Sequence, residues 1–467
     1  MNNNHNISSN NPNTITKFKN KDIDPEIKPN KFISFLSSKT GIIIIIITTI
    51  VIVSVVVLSV TLSKKNGNVK DENNEQEKDP DNPSDKGTDE DDNDYMYKGK
   101  ILSDTLYVKK IENLPKDFIL GMDLSSVIAE ENSGVKYYNF NNEEKDIFEI
   151  LRYVGINYVR IWNDPFDSEG HGYGGGNNDM EVAIKIGKRA TKYGMKILAS
   201  FHYSEFYADP GSQNVPKAWR GLDLEEKTKK AEEFTITSLT RFKNEGVDVG
   251  MVALGNEIND FFCGETEWPN IVKILNACSK VTRQVLPNTL VSVHFTNPER
   301  EGSMMYFANS LNANNLDYDI FSVSFYNVWA GGINCLDQLN EVAETYNKKI
   351  FIAETQYPYT RDNLDYYPNK TPGYNDYIYY PLTVQGQATH IRNLINYVKG
   401  IKNSLGVFYW EGAWIAVGTR DYNENLEKWE TYGSGWASSY SHLMIQGIME
   451  VGHQLKIRLY LILMANL

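Results

Sequence analysis

Cysteine is scarce in this chain. Three occur in 467 residues, Cys263, Cys278 and Cys335, and none sits in a CxxC or similar spacing, which argues against a zinc site. Cys263 and Cys278 can pair if the chain is exported, or stay buried as free thiols, and spacing alone leaves both open. Basic clustering is missing too: no concentrated Lys/Arg face is available for a nucleic-acid backbone. No GxGxxG loop follows the first predicted strand, which counts against an open, doubly wound nucleotide-binding sheet. Negative charge is plentiful but local. Between Asp71 and Asp94 stand 12 Asp or Glu against 2 Lys, so this short segment holds −10 of the net −13.

What is present is ordered along the chain. Residues 1–41 are Asn-, Ser- and Lys-rich with little apolar content, the composition of a disordered tail. Residues 42–62 are Ile and Val with scattered Ser and Thr and no charge, matching the roughly 20 residues that cross a bilayer. Lysines 17, 19, 21, 28, 31 and 39 precede the run and the far side turns acidic. The expected topology is a single-pass anchor with its N-terminus in the cytoplasm and everything after Leu62 outside. Residues 63–98 read as an acidic, self-repelling linker.

From residue 99 to 440 the texture is that of a folded domain. A helical stretch, a glycine and a short, nearly continuous apolar strand recur. Gly155, Gly194 and Gly246 each precede such a strand, where a left-handed residue ends a helix. Strands are predicted near 118–124, 156–160, 195–200, 249–254, 290–295, 318–326, 349–354 and 405–411. Eight strands with intervening helices predict a (β/α)8 TIM barrel. Barrel chemistry sits where strands end. Those ends supply Asp123, Arg160, His202, Asn256-Glu257, His294, Tyr326, Glu354 and Trp410-Glu411, a set of acids, amides and aromatics suited to carbohydrate. Glu257 ends strand four and Glu354 ends strand seven, so the two carboxyls can face each other across the mouth. Retaining glycoside hydrolysis needs them roughly 5–5.5 Å apart.

These residues carry a resemblance. GMDLSSV (121–127), YVRIWNDP (158–165), ILASFHYSEF (197–206), PKAW (216–219), LGNEIN (254–259), AETQYPYT (353–360), FYWEGAWI (408–415) and GSGWASSY (433–440) stand in order. The chain thus resembles the glycoside hydrolase family 53 endo-β-1,4-galactanases. The resemblance implies Glu257 as acid/base and Glu354 as nucleophile, with Asn256 on the sugar 2-hydroxyl. It implies that Arg160, His202 and Tyr326 position the nucleophile and its sugar, with Asp123 among the binding residues. Trp410, Trp219 and Tyr207 are candidate stacking platforms. The implied substrate is the β-1,4-galactan of pectin side chains, cleaved internally by a monomer without cofactor. Mannan or glucan, or a surface carbohydrate-binding role without turnover, are the alternatives.

Departures from the family are local. Glu205-Phe206-Tyr207 replaces the usual Asp-Phe-Trp, and Asn327 and Gly412 stand where proline is usual. Bacterial relatives bind calcium through a DxDxHxN-like run after strand seven. Here Arg361-Asp362-Asn363-Leu364-Asp365 keeps only fragments, and no metal is expected. Residues 441–467 end in LYLILMANL and follow no family pattern. Read one frame over, Met444-Ile445 would encode Asp and Met449-Glu450 Gly, and the stretch permits a family-like glycine-rich loop and NQALFD helix. A frameshift near residue 441 is therefore expected.

Overall fold

The computed structural model describes residues 106–139, 141–163, 179–204, 208–361, 378–415, 419, 421 and 423–425. The expected tail, membrane span, linker and C-terminal segment lie outside them, as do Tyr207 and Asp362–Asp365. Among the described residues, no helix is long and apolar enough to cross a membrane.

The chain runs β1 (Ile119–Asp123), α1 (Val127–Asn132), α2 (Ile147–Tyr153), β2 (Tyr158–Asn163), α3 (Met180–Lys192) and β3 (Lys196–Phe201). It continues through α4 (Leu224–Asn244), β4 (Val249–Leu254), α5 (Trp268–Val285), β5 (Leu290–Phe295), α6 (Ser303–Ala313) and β6 (Ile320–Ser324). Then come α7 (Asn327–Ala330), α8 (Gln338–Tyr346), β7 (Lys349–Glu354), α9 (Val384–Gly400) and β8 (Ser404–Tyr409). Short 3-10 turns occupy Lys217–Trp219 and Ile333–Asp337. The strands pair in parallel in chain order, and β8 closes on β1, so the eight form one barrel. The predicted (β/α)8 architecture is present.

Local chemistry sets the boundaries. The Asp179 carboxylate accepts from Val182 N–H at the start of α3, and Asp223 and Glu226 form a reciprocal capping box on α4. Gly194 and Gly246, at φ +74° and +71°, end those two helices. Where a helix rises one way and a strand returns the other, each strand is covered outside by helices, and its apolar run is continuous for that reason.

Inside the barrel the pleat alternates. Ile119, Leu198, Met251, Ala253, Ile320, Phe351, Ala353 and Phe408 form one buried cluster drawn from β1, β3, β4, β6, β7 and β8. Gly121 leaves the space that the Phe408 ring fills, since a Cβ there would lie 2.2 Å from the ring. Two to four residues further along the same faces, the apolar packing gives way to Asp123, Ser200 and His202, all buried. The packed floor thus ends in a polar mouth at the C-terminal ends of the strands. All three cysteines are free, Cys263 and Cys278 buried and Cys335 partly so.

Candidate active site

Arg160 organises the mouth from the middle of β2, level with Asp123 at the end of β1. It is 1% exposed, and its guanidinium pairs with Asp123 through Nη1 and with Glu354 Oε1 through Nη2 at 2.8 Å. Nη2 also donates to Asn256 Oδ1 at 2.7 Å. Burial works against a charged guanidinium, but the carboxylates of Glu354 and Asp123 outweigh it and hold Arg160 firmly protonated. Asp123 is itself fixed by the Ser125 backbone N–H at 2.9 Å and hydroxyl at 2.6 Å. A fully buried cation with two carboxylate partners would be costly alone; here each charge is met and hydrogen-bonded.

Glu354 accepts a second bond, from the Tyr326 hydroxyl to Oε2 at 2.7 Å. Both carboxylate oxygens therefore have a donor, which fixes the rotamer. Burial raises the Glu354 carboxyl above its ordinary range, while Arg160 and Tyr326 pull it back toward ionisation.

Glu257 is placed differently. It follows β4 in a turn where Gly255 and Glu257 take φ +86° and +47°. A left-handed glutamate costs on the order of 1–3 kcal/mol, the kind of strain found where structure serves a site. The side chain is only partly buried. Burial, then the charge of Glu354, push its carboxyl up to about 8. Of the two glutamates, Glu354 has the cation and the phenol, and Glu257 has the negative neighbour. The proton belongs on Glu257.

Asn256 is locked on every side. Its Oδ1 accepts from Arg160 and from His294 Nδ1 at 2.8 Å, and its Nδ2 donates to Ala208 O at 2.7 Å. That pattern fixes the amide orientation. It also requires Nδ1 of His294 to carry the proton, so Nε2 accepts from the Ser324 hydroxyl at 2.8 Å. Burial first, then Arg160, hold His294 well below its ordinary pKa, in keeping with a neutral ring. His202, at the end of β3, is kept neutral by the same causes. Its Nδ1 accepts from Ala208 N–H at 3.3 Å, which leaves Nε2 as the protonated nitrogen, and its ring stacks on Trp162 at 5.1 Å.

Glu411 follows β8, buried and at φ +46°. It accepts from the Ser126 hydroxyl at 2.5 Å and Trp162 Nε1 at 3.4 Å. Burial, then Asp123, drive its carboxyl well above the usual range. Trp410 stands edge-on to Tyr326 at 6.5 Å and to Trp414 at 4.7 Å.

Seven of the sequence-predicted residues are thus brought to one mouth: Asp123, Arg160, Asn256, Glu257, Tyr326, Glu354 and Trp410, with His202 joined to them through Ala208. Trp219 is buried in the main apolar core, in the turn after β3. Three participants were not anticipated. Gln213, fully buried, donates from Nε2 to Asn256 O at 2.7 Å and Asp209 O at 3.1 Å, clamping the Asn-Glu turn. Ser324 bridges toward His294, and Trp329 lies beside Tyr326 with centroids 5.1 Å apart. Gln213 lies in an irregular loop without periodicity, whereas Trp329 shares the β6 loop with Tyr326 and could have been flagged on that ground. Among the described residues, no group of three or more His, Cys, Asp or Glu is placed to hold a metal.

Comparison with known proteins gives a consistent family. Residues 119–444 match the profile of glycosyl hydrolase family 53. An endo-β-1,4-galactanase of Bacillus subtilis (strain 168) is 51% identical over 347 residues, 73% of this chain and 81% of that protein. An arabinogalactan endo-β-1,4-galactanase of Thermothelomyces thermophilus is 32% identical over 66% of this chain and 91% of its own length. Among solved structures, the Ignisphaera aggregans GH53 catalytic domain superposes with a TM-score of 0.63 at 32% identity, covering 71% of this chain and 93% of that one.

Proposed function

The chain belongs to glycosyl hydrolase family 53, and from that premise we propose that it cleaves β-1,4-galactan internally, with retention, using Glu354 as nucleophile and Glu257 as acid/base. The observation that carries this is the unequal environment of the two carboxyls: Arg160 and Tyr326 on one, a negative neighbour and a raised pKa on the other.

In the first step a Glu354 oxygen attacks C1 of a galactosyl unit. The C1–O bond to the next sugar breaks, and the Glu257 proton goes to the departing O4. A glycosyl ester on Glu354 remains. In the second step Glu257, now a carboxylate, takes a proton from water as the water oxygen attacks C1. The ester bond breaks and Glu354 is regenerated. Atoms and charge balance with two carboxyls and water. Nδ2 of Asn256, with one hydrogen committed to Ala208, has its second for the sugar 2-hydroxyl. His202 presents a neutral donor. Trp410, Trp219 and Tyr207 are the proposed stacking platforms; Trp410 and Trp219 are both buried, so each must be uncovered to serve.

The test is reducing-end release by the full chain from β-1,4-galactan, β-mannan and cellulose. Activity on galactan alone, lost in Glu354→Ala, is the expected result. Cleavage of another polymer reassigns the substrate, and binding without cleavage leaves a carbohydrate-binding protein.

The uncharged run 42–62, its basic N-terminal flank and the acidic stretch after it support a single-pass anchor holding the catalytic domain outside the cell. Protease shaving of intact cells that releases the activity is the expected outcome; protection of the catalytic domain would refute the orientation. The tail 441–467 is read as frameshifted, and sequencing the transcript across codon 441 without an indel would refute it.

A further inference from the structure

One of the strand-end carboxyls has no part in the two chemical steps. Glu411, just past β8, is 0% exposed and takes φ +46°. Among the described residues, most non-glycine residues at positive φ are asparagines, and the two acids among them are Glu257 and Glu411. Holding an acid left-handed costs on the order of 1–3 kcal/mol, and hiding its carboxyl from water adds to that cost. No cation offsets it. Among the described residues the partners of Glu411 are a hydroxyl, a backbone N–H and an indole N–H. Its part is therefore hydrogen bonding rather than charge.

Two lines of contacts start at this carboxyl. Oε2 is 2.5 Å from Ser126 Oγ, a bond that serves with the proton on either oxygen, and Ser126 Oγ accepts from Trp414 Nε1 at 2.8 Å. The Trp414 ring meets Trp410 edge-on at 4.7 Å, Trp410 meets Tyr326 at 6.5 Å, and the Tyr326 hydroxyl is on Glu354. Oε1 accepts from Trp162 Nε1 at 3.4 Å, and the Trp162 ring stacks on His202. His202 Nδ1 takes the Ala208 N–H, and Ala208 O takes a hydrogen of Asn256 Nδ2, one residue before Glu257. One line thus ends at the nucleophile and the other at the turn that carries the acid/base. Glu411 is where they meet. The next residue ties it to the same frame, because Gly412 donates its N–H to Asp123 O at 3.1 Å and Asp123 pairs with Arg160.

We propose, resting on the galactanase reading above, that Glu411 is a positioning residue: a buried hydrogen-bonding strut that keeps Trp162 and Trp410 at fixed settings and so holds the surroundings of Glu257 and Glu354 in register. An indole N–H donates and cannot accept, so buried indoles need oxygens between them. A carboxyl supplies two in one rigid plane. At 0% exposure Glu411 acts through these neighbours and not by touching the sugar. Such ordering acts on the reacting geometry rather than on the grip on distant sugars, so its effect belongs in kcat.

The test measures kcat and KM on β-1,4-galactan for the full chain and for Glu411→Leu, Glu411→Gln and Ser126→Ala. Near-ultraviolet circular dichroism and urea unfolding give the folded fraction of each. In Glu411→Leu, kcat per folded molecule should fall roughly 10–100-fold with KM nearly unchanged, the size of effect that small misplacements have. Ser126→Ala cuts only the line to Trp414 and should lose less. Glu411→Gln should recover most of the rate, because its amide oxygen can take the Trp162 indole while its N–H reaches Ser126 Oγ. A Glu411→Gln variant as slow as Glu411→Leu would overturn the assignment, since the carboxyl would then be acting as a charge. Losses confined to KM, or losses that vanish once kcat is divided by the folded fraction, would overturn it too. Should Glu411→Leu fail to fold, an unchanged kcat in folded Ser126→Ala would do the same. Wild-type protein that leaves galactan intact would overturn the galactanase reading and this inference together, which the wild-type control distinguishes from failure of the inference alone.

Discussion

Two residues that stand where the family resemblance leads one to expect proline behave oppositely on physical grounds. Asn327 is the first residue of α7, where an N–H has no intrahelical partner, and Tyr326 before it is extended at φ −117°, ψ 103°. Its amide oxygen is buried with no hydrogen-bond partner among the described residues. Asn327→Pro should therefore stabilise the protein by about 0.5–1 kcal/mol in urea unfolding, by restricting the unfolded chain and removing that orphan. Gly412 donates its N–H to Asp123 O at 3.1 Å, and a Cβ there would lie 2.3 Å from Met122 Sδ. Gly412→Pro should destabilise, by about 1–3 kcal/mol for the lost bond alone. Gln213→Glu tests the clamp: it turns a carboxylate toward the carbonyls of Asp209 and Asn256. A folded variant with lower kcat is expected, and unchanged kcat would remove Gln213 from the machinery. The residues legible in the sequence were those at strand ends with distinctive chemistry, such as Asn256-Glu257 and Glu354. Gln213 and Ser324 escaped because a lone amide in a loop and a serine in an apolar strand look like ordinary solvation and packing.

At the scale of elements, the eight strands were legible because helices cover them and their apolar runs are continuous. Their ends were less so. The stretch 318–326 contracts to β6 at 320–324, because Tyr326 already starts the next turn. The stretch 405–411 stops at Tyr409, where Trp410 N–H turns to Thr355 O and Glu411 goes left-handed. α7 is too short to show a period. The seam between β8 and β1 is the barrel's last closure, and a Cβ on Gly406 would lie 2.1 Å from Ile119 O. Backbone cannot step aside as a side-chain tip can, so Gly406→Ala should destabilise by about 3 kcal/mol or more. Gly400, at the end of α9 with nothing within 4 Å of its would-be Cβ, is the control. Gly400→Ala should gain about 0.5–1 kcal/mol. Thermal denaturation of the pair checks both signs.

For the whole molecule, two sets of buried groups oppose each other in pH. Glu257, Glu354 and Glu411 have folded pKa values raised above 4.5, mainly by burial, so their contribution is full below 4.5 and is lost as pH rises. His202, His294 and His390 have values depressed below 6.5, again by burial, with His390 near 3. Their contribution is full above 6.5 and is lost as pH falls. Between 4.5 and 6.5 the losses and gains offset, and stability should form a plateau that falls away on both sides. Unfolding midpoints across pH 3.5–9 check it; a single maximum near pH 8 would contradict it. Activity should follow a bell whose basic limb lies near pH 8, where Glu257 gives up its proton.

The free thiols bear on manufacture. Burial pushes the Cys263 and Cys278 thiols up to about 12 and 11, so at neutral pH neither offers the thiolate that oxidants and disulfides attack. No bridge joins the cysteines of the barrel, and its closure rests on strand pairing and core packing. A cell interior kept reducing is then as good a workshop for this domain as any oxidising compartment, and no isomerase has to sort its sulfurs.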